Sequence, residues 1–211
     1  FLMPNSGNQL DANVTNTTGV VTAGRIITEA QLQTLNISTQ PTWKNSSYCI
    51  SESCLYFNGI DNVTTITNAS SIDFNDSLAI GFTISTWIKP NSLGENSTGH
   101  IIDKGPNTYA SISAGSSSNL ANLNISLDLA TTDATLTITD AITLNNWHHI
   151  SIGYTDDGDD EISVYIDGVL RGTSTNGSGT PATDTYDLTI GGISANNFHG
   201  YIDELKIYPE E

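Results

Sequence analysis

The sequence predicts an all-β protein of two packed antiparallel sheets. Three observations carry this. From residue 55 onward, short β-prone runs alternate with turn-rich stretches, and no amphipathic helix of convincing length interrupts them. Several runs alternate with period two: Phe82, Ile84 and Ile88 share one strand face, opposite Thr83, Ser85 and Trp87. Asp167-Gly168 then supplies a tight hairpin signal between Ile162–Ile166 and Val169–Gly172.

The elements follow in order. Residues 1–46 form a leader with one candidate strand, and residues 47–211 form the domain. Phe1 to Gly19 is polar and turn-rich. Val20 to Thr28 is β-prone, interrupted by Gly24, and has no evident hairpin partner inside the leader. It either packs on its own sandwich or adds to the sheet of the next subunit, which would give a homo-oligomer or filament. Pro41 and Asn45-Ser46-Ser47 mark the boundary. In the domain, Ile162, Val164 and Ile166 oppose Ser163, Tyr165 and Asp167. His148, Ile150, Ile152 and Tyr154 alternate with Trp147, His149 and Ser151.

Composition narrows the function classes. Six Lys and Arg against 23 Asp and Glu give a formal charge of −17, which argues against nucleic acid and anionic lipid as partners. The excess acid suits divalent cations or serves solubility alone. No apolar run approaches the roughly 20 residues that cross a bilayer, so no membrane insertion is expected, and any secretion signal is expected to have been removed. Abundant Ser, Thr and Asn suggest an extracellular surface. Ten Asn-x-Ser/Thr sequons occur, at Asn13, Asn16, Asn36, Asn45, Asn62, Asn68, Asn75, Asn96, Asn124 and Asn176. They are glycosylation candidates, some of them chance products of Asn/Thr-rich loops. Cys49 and Cys54 lack the further ligands of a zinc hook. A local disulfide, stabilising by about 2 kcal/mol, is the expectation in an oxidising compartment.

Five segments carry a family resemblance: Leu55 to Val63, Phe82 to Pro90, Trp147 to Asp156 with Val164 to Gly168, Leu188 to Gly192, and Gly200 to Tyr208. In order and spacing they resemble a laminin-G-like domain of the concanavalin A-like lectin/glucanase superfamily. The resemblance implies a jelly-roll sandwich over about Cys54 to Tyr208. The fold hosts lectins, adhesion modules, enzyme accessory domains and structural subunits, so it leaves function open.

The first candidate site is a structural Ca²⁺. If Leu205 and Ile207 face the core, period two puts Asp203 on the same side, where the chain has few cations to meet it. The Asn58 to Asn62 turn, with Asn58 and Asp61, offers oxygen ligands, and domains that look like this often carry calcium between first turn and last strand. Alternatively, Asp203 accepts backbone hydrogen bonds and Asp61 stabilises its own turn. The second candidate is the acidic run Asp156, Asp157, Asp159, Asp160 and Glu161, which reads otherwise as a solvated turn. Catalysis is not expected. The Glu-x-Asp-x-Glu signature of glucanases is absent, Asp203 and Glu204 fall on opposite faces, and His100 and His199 stand alone. Among aromatics that could stack on sugars, Trp43, Trp87, Tyr109, Tyr186 and Phe198 are available. Trp87 and Trp147 read first as packing, whereas Tyr109, Tyr186 and Phe198 are expected near loops. The leading expectation is a secreted, non-catalytic adhesion or self-assembling structural module. The alternative is a carbohydrate-binding lectin module, free or accessory to an enzyme.

Overall fold

A computed structural model describes residues 39–68, 74 and 81–208, except 157, 159, 183 and 194, and the backbone of 9–10, 27–28 and 209–210. Among the described residues fifteen strands are formed: β1 Gln9–Leu10, β2 Ile27–Thr28, β3 Thr42–Asn45, β4 Ser53–Asn58, β5 Thr64–Ile66, β6 Gly81–Pro90, β7 Thr98–Asp103 and β8 Tyr109–Ala114. Then come β9 Leu120–Leu127, β10 Ala134–Thr143, β11 His148–Thr155, β12 Glu161–Ile166, β13 Val169–Ser174, β14 Leu188–Ile190 and β15 His199–Glu210.

Two antiparallel sheets make the jelly-roll sandwich. One has six strands in the order β10-β9-β8-β7-β14-β5, the other seven in the order β13-β12-β11-β6-β15-β4-β3. The alternation read from the sequence sets the inner faces. Phe82, Ile84 and Ile88 of β6 are buried, as are Ile150, Ile152 and Tyr154 of β11 and Ile162, Val164 and Ile166 of β12. They meet Ile112, Leu123, Ile125 and Ile142 of the other sheet in one continuous core. Each such side chain contributes about 1.5–3 kcal/mol of burial. The Asp167-Gly168 hairpin forms as expected between β12 and β13, with φ of 53° and 77°, the two left-handed residues of a type I′ turn.

Two expectations about the N-terminal region change. Thr42–Asn45 pairs with β4, Trp43 opposite Leu55, so the sandwich takes in residues assigned from the sequence to the leader. Ile27 and Thr28 do have a partner inside the leader: Leu10 and Gln9 stand opposite them in a separate two-stranded ladder. The rest of Val20 to Thr28 lies outside the described residues.

The last strand corrects a third expectation. In β15, Ile202 faces Ile88 and Asp203 faces Trp87, but the next pairing is Lys206 with Ser85. Glu204 and Leu205 together oppose Thr86, a β-bulge, with Glu204 at φ 49°. The bulge breaks the period-two count. Leu205 is inward as expected, yet Asp203 shares the outer face with Trp87. Thr86 Oγ1 donates to the Asp203 carbonyl at 3.0 Å, so the bulge leaves that buried oxygen satisfied.

Candidate functional site

The outer face of the seven-stranded sheet gathers aromatic side chains around Tyr201. In β4, Leu55 and Phe57 point into the core, which turns Tyr56 outward. In β15, Gly200 and Ile202 are buried and Tyr201 stands out between them. Gly200 sits at φ 148°, and a Cβ there would strike the Lys89 carbonyl, so a larger residue would push β15 off β6. Register makes Tyr201 the meeting point, opposite Tyr56 on one side and Lys89 on the other. The Tyr56 ring lies 5.0 Å from that of Tyr201, Trp147 lies 6.2 Å away, and Tyr48 lies nearly parallel at 6.1 Å. Burial, then Tyr56 and Tyr48, hold the Tyr201 phenol above its ordinary pKa, so it stays a hydrogen-bond donor at neutral pH. Trp87 and His149 extend the face at 5.1 Å, with His149 also bonded to Ser85 at 2.9 Å.

A disulfide loop holds one edge of this face. Cys49 and Cys54 are bonded to each other, as the sequence suggested. Within the loop, the N–H groups of Ile50 and Ser51 donate to one carboxylate oxygen of Asp203, at 3.0 and 2.9 Å. The Glu204 N–H donates to the other at 2.9 Å. Burial raises the Asp203 pKa, and these three donors offset part of that cost. The loop is entered through a turn closed by the Tyr48 N–H on the Asn45 carbonyl, which brings Tyr48 over Tyr201.

This geometry bears on calcium. Asn58 stands opposite His199, four residues along β15 from Asp203. At the strand rise the two backbone positions stand roughly 13 Å apart. Asn58 Oδ1 already accepts from Ile60, Asp61 and Asn62 at 3.0 to 3.2 Å, and Asp61 accepts from the Asn58 amide at 2.8 Å. Asn58, Asp61 and Asp203 are thus each engaged in hydrogen bonds of their own. Asn58 and Asp61 serve their own turn, while Asp203 accepts the N–H groups of Ile50, Ser51 and Glu204. The sulfurs near Asp203 are joined to each other and offer no thiolate. In the acidic run, Asp157 and Asp159 lie outside the described residues. Asp160 accepts the Gly179 N–H at 3.0 Å and so ties its loop to a neighbouring one.

Other candidates sort differently from expectation. Phe198 is fully buried against Phe57 and cannot meet a ligand. Trp43 packs on the core. Tyr109 stacks on His100 at 4.7 Å, whereas Tyr186 is exposed. His100 is not alone but buried and bonded to Asp103 at 2.6 Å. His199 likewise lies between Tyr56 and Ser92, at 3.1 and 2.8 Å. Among the sequons, Asn62 is buried and accepts the Asn58 N–H, which removes it as a glycosylation candidate. Asn176 holds Thr135 through three hydrogen bonds, and Asn68 and Asn124 are half-buried. Asn45 and Asn96 are exposed; Asn13, Asn16, Asn36 and Asn75 lie outside the described residues. Tyr48, Tyr56 and Tyr201 were missed in the sequence. Alternation in Leu55-Tyr56-Phe57 and Gly200-Tyr201-Ile202 was the available signal.

Comparison with known proteins agrees with this architecture. The family model Laminin_G_3, of the concanavalin A-like lectin/glucanases superfamily, matches residues 57–211. The chain belongs to this laminin-G-like family. No curated protein sequence is significantly similar to it. Among solved structures, it is similar to the binding domain of Paraclostridial Mosquitocidal Protein 1, with a TM-score of 0.59 and 14% identity over 98% of this chain and 50% of that one. The binding domain of botulinum neurotoxin serotype G gives 0.56 and 16%, over 98% and 48%. Domain 4 of AbnA, an extracellular arabinanase from Geobacillus stearothermophilus solved with arabinotriose, gives 0.53 and 20%, over 81% and 76%. At these identities the likeness is one of fold. This laminin-G-like chain spans about half the length of the toxin binding domains.

Proposed function

We propose that this laminin-G-like chain is a non-catalytic glycan-binding module whose site is the aromatic face around Tyr201. The observation that carries this is the convergence of Tyr48, Tyr56 and Trp147 on Tyr201 at 5.0 to 6.2 Å, on the outside of the seven-stranded sheet. Sugar rings present C–H faces that pack on aromatic rings, and neighbouring Tyr hydroxyls bond their rims. The arabinotriose-bound relative of similar fold adds support. The chemistry of the face is that of binding. The Asp203 carboxylate is committed to N–H donors and Glu204 to Lys206 at 2.8 Å, which leaves neither free as a glycosidase acid. The disulfide suits an extracellular position, exposed to cell-surface or matrix glycans.

The self-assembling or adhesive reading has a weaker footing. It relied on a leader strand in need of an edge, and Ile27–Thr28 already pairs with Gln9–Leu10. The test is a glycan array probed with the wild type and with Tyr201→Ala, each confirmed folded by its melting temperature. Binding that Tyr201→Ala abolishes supports the glycan reading. An array blank for the wild type, with concentration-dependent assembly that deletion of residues 1–28 removes, would replace it with the structural one.

A further inference from the structure

We infer that the ligand of this face is an acidic saccharide, one bearing a carboxylate or sulfate beside the ring that stacks on Tyr201. The inference rests on the glycan reading and comes from where the few cations stand. The chain has six Lys and Arg. Lys104 is buried and held by Asn68, Asp184 and the Tyr186 carbonyl. Lys206 is paired with Glu204. Lys44 and Lys89, in contrast, flank the aromatic cluster and make no ion pair among the described residues. The Lys44 ammonium lies 5.3 Å from the Tyr56 ring and 5.7 Å from the Tyr48 ring. That of Lys89 lies 5.8 Å from Tyr201.

In a chain with 23 carboxylates, two lysines that sit over tyrosine rings and make no ion pair among the described residues are an unusual use of scarce positive charge. Ring contacts steer each ammonium over the cluster and leave N–H donors for a ligand. Two nearby carboxylates are engaged: Asp203 of β15 by three N–H groups, and Asp61, in the turn after β4, by Asn58. Glu52, on the disulfide loop, is exposed and makes no ion pair among the described residues. Asp167, beside His149, is bonded to His148 and to the His149 N–H, and rising salt screens exposed charges more than about 8 Å away. A saccharide seated on Tyr201 thus meets two ammonium groups in a chain whose net charge is strongly negative. An anionic substituent forms charge-assisted hydrogen bonds there that a neutral hydroxyl does not.

The test compares acidic glycans (uronate-, sialate- and sulfate-bearing) with their neutral parents on one array, for wild type, Lys44→Gln/Lys89→Gln and Tyr201→Ala. The wild type should prefer the acidic member of each pair, and rising sodium chloride should weaken that preference. The double lysine variant should lose about tenfold on acidic glycans and keep its neutral binding. Tyr201→Ala should lose both, and Glu52→Gln should strengthen the acidic set. Carboxylate-only or sulfate-only binding identifies the source of the charge. Equal binding of neutral and acidic pairs, or a preference that survives the lysine changes, overturns this inference and leaves the glycan reading standing. A wild type that binds nothing removes both.

Discussion

The Asp203 carboxylate accepts the backbone N–H of Ser51 at 2.9 Å, across 152 residues of chain. That bond, with its companion from Ile50, fastens the disulfide loop onto the last strand. The loop in turn carries Tyr48 to Tyr201. The bulge at Glu204 and Leu205 makes this possible by turning Asp203 to the outer face.

Asp203→Ala should therefore cost stability and binding together. It strips acceptors from three N–H groups, at about 1–3 kcal/mol in total if water reaches the exposed loop donors and more if it does not. Asp203→Asn keeps an acceptor and should lose less. Urea denaturation of the three proteins measures this. Equal midpoints would mean that the loop is held by other contacts.

Reduction of the disulfide should loosen the same loop. Cys49→Ser/Cys54→Ser removes a closure worth about 2 kcal/mol and leaves the sandwich core intact. The far-ultraviolet spectrum should be unchanged, the melting temperature should fall, and glycan affinity should drop through Tyr48. Affinity equal to that of the wild type would remove Tyr48 from the site.

Chelation should do little through Asp203. Its oxygens and that of Asn58 are filled by N–H groups, and the two residues stand roughly 13 Å apart along the sheet. The melting temperature with and without chelator should agree. A drop that Asp203→Asn abolishes would restore the shared ion expected from the sequence.

Burial lowers the pKa of His199 below its ordinary 6.5. The unfolded chain then takes up a proton at a pH where the native state does not. The stability contribution is whole above 6.5 and declines as pH falls through 6.5 toward the folded value. Urea midpoints between pH 7.5 and 5.5 should fall more steeply for the wild type than for His199→Gln. Parallel slopes would mean that His199 protonates freely.

Much of this molecule was legible in the sequence. Ile162, Val164 and Ile166 announced their inward face, Asp167-Gly168 announced its hairpin, and the spacing of Cys49 and Cys54 announced their bond. The orientation of Asp203 was not legible, because a bulge at two ordinary residues carries no compositional mark and shifts every count beyond it. The binding face was half legible. Alternation turns Tyr56 and Tyr201 outward one strand at a time. Their meeting with each other and with Lys89 depends on pairings made 145 residues and more than 100 residues apart in sequence, as the register shows. The bond of His100 with Asp103 was hidden for a related reason: a bulge in β7 between His100 and Ile102 shifts that strand's alternation.

The central claim is that ligand sits on Tyr201 and its neighbours. Nuclear magnetic resonance of the aromatic side chains during titration with an array-identified saccharide tests it most directly. The account predicts shifts concentrated on Tyr48, Tyr56, Trp147 and Tyr201, with Tyr109 and Tyr186 unmoved. Shifts confined to Tyr109, Tyr186 or the outer face of the six-stranded sheet would contradict it.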